Sequence, residues 1–538
     1  MPLSPLGAKG GRPRHAPVTV SPAQPENRHR DYAWFALVAG LTLVAYARSF
    51  TSAFQFDDHS QILESPGVQE LTLAAIVGWG RSRVIPYSTL VLNYWIGGEN
   101  PVGYHVANVL IHLVTCFAVF RLALALCDTP RLRHTALAKQ PLVFALSATV
   151  LFACHPIQIQ AVTYIVQRMS SMAAMFYVGS VLLYVLARTA NENQRRSDSR
   201  RAFIGSGLLA LAAFFSKENS ASLPVAILLT EWAFFGGKGM GQKVVRIAPF
   251  LLLVLVIPLT WKLLGSPPRM PSRSTAPLAE QARDLARLWT WAADPTAVAS
   301  PLDYFFTQCL VIPRYLRLVF LPWGFNIDHD VPVARGLSGA VSVGLAFLVA
   351  LCGFGVYAVR RWPALGFGVL WFFVALSVES SVLPIHDVMN EHRMYLAMPG
   401  LALALASVFC AAVRQRRAIA LGFGGAVTVA LVGLTIARNE VWRTQLSLWR
   451  DAMQKSPGKA RVHVNVGTAL HLEGKVHEAI KHYCEGLRLE PTNKRAESNI
   501  NIALDELMES GEAELEIEQA AEDGSITLVP RHPCPPKN

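Results

Sequence analysis

Apolar residues in this chain come in long blocks, not in the short alternations of a soluble fold. The blocks near 32–50, 102–126, 141–160, 169–187, 202–216, 219–236, 246–265, 338–358, 363–379, 394–412 and 418–437 are of the order needed to cross a hydrocarbon core about 30 Å thick. Lipid offers backbone groups no water to bond, so such blocks predict helices. The pattern therefore predicts an all-α, polytopic membrane protein of about eleven spans. A further block, 302–322, is bounded by Pro301 and Pro322, interrupted by Pro313 and charged at Arg314 and Arg317. These features predict a re-entrant or interfacial helix.

Charge sets the orientation. The 538 residues carry a net charge of +12, and the basic residues cluster between alternate blocks: before 32, around 131–139, 195–201, 238–246, 360–361 and 414–417. The positive-inside rule makes that side cytoplasmic. The loop after the first block, the stretch 266–335, the loop 380–393 and everything after 438 then lie outside. The basic excess is thereby accounted for without nucleic acid. The long, Pro-rich start has no signal-peptide cleavage pattern, so the first block is expected to stay as an anchor in a cell (inner) membrane.

Beyond 438 the composition turns charged and amphipathic. Ala460-Arg-Val-His-Val-Asn-Val-Gly467, followed by Leu470, Ala479, Tyr483, Gly486 and Pro491, has the offsets of a tetratricopeptide repeat, a helix pair of about 34 residues. Helices at 442–457 and 494–508 read as parts of flanking repeats that cap it. The expected divisions are a disordered basic terminus at 1–31, a transmembrane domain at 32–437, a repeat domain at 438–508 and a disordered tail at 509–538. Asn465, Gly467, His471 and Asn499 are the candidates for contacting a protein in the repeat groove, although such a unit can equally be a packing domain that binds nothing.

The candidate chemistry begins at Phe54-Gln-Phe-Asp-Asp-His59. Paired carboxylates at a membrane surface suit a reaction site, or else a solvated loop or a helix cap. Asp57 and Asp58 are the candidate catalytic residues; together they could hold a divalent metal, but no further ligand set accompanies them. The eight cysteines lie mostly within apolar blocks without paired spacing and read as small hydrophobes. A bond between Cys484 and Cys534, both in the outer tail, stays open.

Several segments together carry a family likeness: Phe56-Asp57-Asp58 with Ser65-Pro66; Pro101-Val-Gly-Tyr-His105 through Asn108 and His112; Phe152-Ala-Cys-His155-Pro156 through Gln167-Arg168; Ser216-Lys217-Glu218 with Leu223-Pro224; and Glu391-His392-Arg393-Met-Tyr-Leu396. In this order the chain resembles the transmembrane and tetratricopeptide-repeat proteins of the GT-C glycosyltransferase superfamily, of a bacterial, O-mannosyltransferase-like type. It departs where the family often has an Arg-Pro pair, since Val84 and Ile85 separate Arg83 from Pro86, and where Ala397 stands in place of a proline.

The resemblance implies transfer of a sugar from a polyprenyl phosphate to a hydroxyl of a protein or envelope acceptor on the outer face, with no certain cofactor. A carboxylate general base is then needed, for which Asp57 comes first, with Asp58 orienting it or sharing the role. Cations must meet the leaving phosphate. Arg393 and His392 lead, followed by Lys217 with Glu218, Arg168 and His155. The rival functions are a transporter or flippase, and a non-catalytic scaffold that uses the repeats to hold other proteins.

Overall fold

A computed structural model of the protein describes residues 25–236, 239–264, 299–381, 384–511, 515–520, 526–530 and 534. Most of the basic N-terminal stretch and much of the expected outer stretch 266–335 fall outside them. The first helix, Pro25–Tyr46, begins within the stretch expected to be disordered.

Among the described residues, seven helices are long and apolar enough to cross a membrane: Asp31–Thr51, Pro101–Cys127, Ile165–Glu192, Gly241–Leu264, Gly339–Arg361, Glu391–Gln415 and Arg417–Val441. The other expected spans are helical but differ in form. The block 141–160 is bent by 53° between Pro141–Ala153 and Pro156–Val162, where His155 precedes a proline that ends the helical run. Pro363–Leu376 has 14 residues, and all but the last two residues of 202–216 lie in Arg196–Phe214. The block 219–236 is divided into the turn Glu218–Ser222, the helix Leu223–Thr230 and a wider turn at Glu231–Phe235.

Burial separates the centre of the bundle from its rim. Two thirds (67%) of the apolar window is covered in Ile165–Glu192 and Glu391–Gln415, against 17% in Gly339–Arg361 and Arg417–Val441, so the last two present their apolar sides outward. Small residues bring the central helices close: a Cβ on Gly368 would run into the backbone of Gly400, and one on Gly400 into Trp371. Polar side chains fasten the same helices. Asn439 accepts from Thr163 at 2.7 Å and donates to the Ala45 carbonyl at 3.0 Å, and His112 bridges the Tyr395 hydroxyl and the Ala153 carbonyl.

The segment expected to be re-entrant or interfacial is the unbroken helix Pro301–Phe320, with Pro313 inside it. It braces the loop that leads into Glu391–Gln415. Tyr304 donates to the Glu379 carbonyl at 2.6 Å, Gln308 to Val388 at 2.8 Å, and Tyr315 to Asn390 at 2.9 Å.

After the last long apolar helix come Gln445–Lys455, Ala460–Leu472, Val476–Leu489 and Lys494–Glu509, each packed on the next. Gly467 admits the Tyr483 ring, since a Cβ there would sit 2.6 Å from Cε1. The tail expected to be disordered is ordered in two places: Leu515–Ala520 pairs antiparallel with Ile526–Pro530, and Cys534 is disulfide-bonded to Cys484.

Candidate active site

The Phe-Asp-Asp loop is held from two directions. Ala53 donates its N–H to the Arg443 carbonyl at 3.0 Å, and Gln55 Nε2 donates to Trp442 at 3.0 Å, which ties the loop to the start of the C-terminal helices. Phe56 meets Trp449 edge to face at 5.4 Å. Its φ of 46° is a left-handed conformation that bulky residues avoid, costing of the order of 1–3 kcal/mol. That backbone turn sends the two aspartates in different directions.

Asp58 is buried. Its Oδ2 accepts from Gln55 N–H at 2.9 Å and its Oδ1 from Val166 N–H at 2.8 Å, so one oxygen closes the loop's own turn and the other fixes the loop to the start of Ile165–Glu192. Burial pushes its carboxyl up to about 8 against the pull of those two donors. Asp57 instead lines a cavity of about 100 Å³ with Gln160, Tyr164, His392 and Asp387. Its N–H donates to the Tyr164 hydroxyl at 3.0 Å. Burial raises its carboxyl above the usual range, opposed by the Tyr164 hydroxyl, which suits a proton acceptor. With both Asp58 oxygens committed to backbone, the aspartates do not face one common metal position. Among the described residues, no three His, Cys, Asp or Glu side chains gather as a metal site.

Next to this cavity lies a charged cluster. Arg83 holds Glu218 through Nε at 3.1 Å and Nη2 at 2.8 Å. Lys217 pairs with Glu379 at 2.8 Å and donates to Ser170 at 2.9 Å; Asn219 donates to the other Glu379 oxygen at 3.1 Å. Burial lowers the Lys217 ammonium and raises the Glu379 carboxyl, but the pair between them, with Arg393 in range, brings Glu379 below its usual value. Arg393 donates to the Tyr304 hydroxyl at 3.2 Å and to the Val388 and Asp387 carbonyls. Among the described residues it has no carboxylate partner within ion-pair distance, so its charge is oriented by dipoles and not neutralised. His392 joins the two halves of the site: its ring lies within electrostatic range of Arg83, Lys217 and Arg393, and it lines the Asp57 cavity.

The third wall comes from the C-terminal helices. Arg461 Nε and Nη2 each lie 2.7 Å from Asp328, and Nη2 lies 2.7 Å from Asp387. Its guanidinium sits 5.6 Å from the centre of the Phe56 ring, and Lys459 adds a second pair to Asp328. Burial pushes Asp387 up, yet His386 and Arg461 together hold it well below the carboxylate range.

Other expected residues lie elsewhere. Arg168 is enclosed by Asn108, Thr89 and Tyr104, which makes it a strut between helices. His155 accepts from Ile157 N–H and contacts the Val319 carbonyl, capping the bend. Of the four groove candidates, only Asn465 lines a cavity among the described residues. Gly467 packs on Tyr483, His471 pairs with Glu506 and Asn499 donates to Thr468, so these three join helix to helix. Sequence reading missed Glu379, Asp387, Asp328 and Arg461 as site residues. Glu379 carries a weak signal, an acid at the very end of an apolar block; Arg461 carries none.

The chain is 24% identical to Protein O-mannosyl-transferase F38B6.6 of Caenorhabditis elegans over 85% of its own length and 62% of that relative's. It is 26% identical to Protein O-mannosyl-transferase TMTC4 of Mus musculus over 84% of the chain and 66% of the relative. For Protein O-mannosyl-transferase TMTC1 of Homo sapiens the figures are 24%, 86% and 56%. The chain is thus similar, over most of its length, to proteins named protein O-mannosyl-transferases. It spans less than two thirds of the length of these transferases. No protein-family model and no solved structure matches the chain.

Proposed function

We propose that this protein is a membrane glycosyltransferase that moves a mannose-like sugar from a polyprenyl-phosphate donor to a hydroxyl of a protein or envelope acceptor. The reaction takes place on the outer, periplasmic side, with the N-terminus in the cytoplasm and the C-terminal helices beside the site. The observation that carries this reading is the meeting of Asp57, in a small cavity, with His392 and the Arg83, Lys217 and Arg393 cluster.

In the reaction, the acceptor oxygen forms a bond to the anomeric carbon as the bond from that carbon to the lipid phosphate breaks. The acceptor proton passes to the Asp57 carboxylate. The lipid leaves as its phosphate monoester, and the charge it gains is met by Arg393 and Lys217. Arg83 holds Glu218 beside them, where the acid can receive a sugar hydroxyl. Asp58 acts through the backbone, fixing the turn that aims Asp57. A non-catalytic scaffold would have no use for a base and a cation cluster arranged in this way.

The test is incubation of the purified full chain with labelled polyprenyl-phosphate mannose and a hydroxyl-bearing peptide. Label appearing on the peptide is expected. Failure to release or transfer sugar from any lipid-linked donor, by protein shown to be folded, overturns the reading.

A further inference from the structure

A second cavity, of about 490 Å³, opens between the C-terminal helices and the loops of the membrane domain. The C-terminal helices and the turns between them contribute Asn465, Asn493 and Arg495; the loops contribute Val331, Val333 and Val388. Its size is that of a ligand pocket, which runs to about 300–1,000 Å³. Three residues belong to the walls of both this cavity and the Asp57 cavity: Asp328, Asp387 and Arg461. The two spaces are therefore adjacent rooms divided by the Arg461 side chain and its two acids.

Two observations indicate what the outer room takes. The Asn465 amide nitrogen is buried and has no hydrogen-bond partner, which costs about 1–3 kcal/mol unless an acceptor meets it. The loops of the membrane domain bring three valines into the same lining, beside Asp328, His329, His386 and Asp387. A donor for a carbonyl, in a lining of both apolar and polar side chains, fits a stretch of polypeptide backbone with its side chains. In the transferase reading the lipid phosphate is met by Arg393 and Lys217, neither of which lines this cavity, so the outer room is left to the acceptor.

We propose that an extended segment of the polypeptide acceptor lies in this outer cavity, its backbone held by Asn465, and that Arg461 is the positioning residue through which the acceptor hydroxyl reaches Asp57. The inference rests on the transferase reading above. Arg461 grips Asp328 with two nitrogens but Asp387 with only one, and Asp387 also has His386 beside it at 3.6 Å. The weaker link is the one to Asp387. Arg461 stays on Asp328 and yields at Asp387 as the hydroxyl passes, and without acceptor it closes the Asp57 room to water.

The experiment uses the full chain in detergent with polyprenyl-phosphate mannose and a synthetic Ser- and Thr-containing peptide, following both transfer to peptide and release of free mannose to water. Losing one charge-assisted contact is worth about tenfold. Arg461→Gln is expected to raise the peptide KM about tenfold or more while water-driven release rises, so that the ratio of transfer to hydrolysis falls; Arg461→Lys restores part of that ratio. Asn465→Ala is expected to raise KM about five- to tenfold and to change kcat far less. An equal fall in transfer and hydrolysis in Arg461→Gln, with no recovery in the lysine variant, would mark a purely structural residue and overturn the inference. So would a wild-type KM in Asn465→Ala, which carries the test by itself should Arg461→Gln not fold. A wild-type chain that neither transfers nor hydrolyses overturns the transferase reading and this inference with it, whereas an active wild type with unaltered variants overturns this inference alone.

Discussion

Asp57 and Asp58 are neighbours in the chain with unlike surroundings, and their substitutions should separate. Asp57→Asn removes the base while keeping the shape of the loop. We expect transfer to fall by about 10²-fold or more, with donor binding and thermal stability near wild type; wild-type turnover in this variant would remove Asp57 from the mechanism. Asp58 affects stability instead. Its carboxyl lies at about 8 in the fold against 3.8 for a free aspartate, so the folded state holds a proton that the unfolded chain releases. The stability this contributes is complete below the free value and is lost as pH rises through about 8. Melting temperature in detergent should accordingly decline over that window, and Asp58→Asn should flatten the decline. A slope identical in the two proteins would count against this assignment.

At the scale of elements, the helices Ala460–Leu472 and Val476–Leu489 approach each other because Gly467 offers no Cβ to the Tyr483 ring. Gly467→Ala should cost about 1–3 kcal/mol by overpacking. It should also loosen the Arg461 and Lys459 contacts at the start of the first helix, so transfer to peptide should suffer more than donor hydrolysis. Equal retention of both activities with unchanged melting would show that the two helices adjust freely. The amphipathic pattern made the existence and order of these helices legible in the sequence. It could not show that Gly467, His471 and Asn499 serve packing, because the small and polar residues that bind a ligand are also those that let helices meet.

For the whole molecule, the orientation drawn from the basic loops is open to labelling. Single cysteines placed at Glu70 and Lys481, both exposed, should react with an impermeant reagent from outside the cell. Cysteines at Ser197 and Gln415, also exposed, should stay protected until the membrane is opened. Labelling of the second pair in place of the first would invert the topology and move the site to the cytoplasmic face.

Long apolar blocks by themselves determined a helical membrane protein, since a backbone in lipid has no other way to satisfy its hydrogen bonds. The motif around Phe56 to Asp58, the Lys217-Glu218 pair and His392-Arg393 marked where charge would gather. Sequence could not assign partners. Arg168 and His155 carry the same chemistry as Arg393 and His392, yet they are spent on helix carbonyls and caps, while Arg83 and Glu379, from distant parts of the chain, complete the cluster. Block length was a partial guide to spans as well, because a proline or a turn inside a block is decided by what packs against it. Only the tertiary structure placed Arg461, about 400 residues after Asp57, in the wall of the same cavity. Contacts over that separation depend on how two units dock, and no local periodicity records the docking.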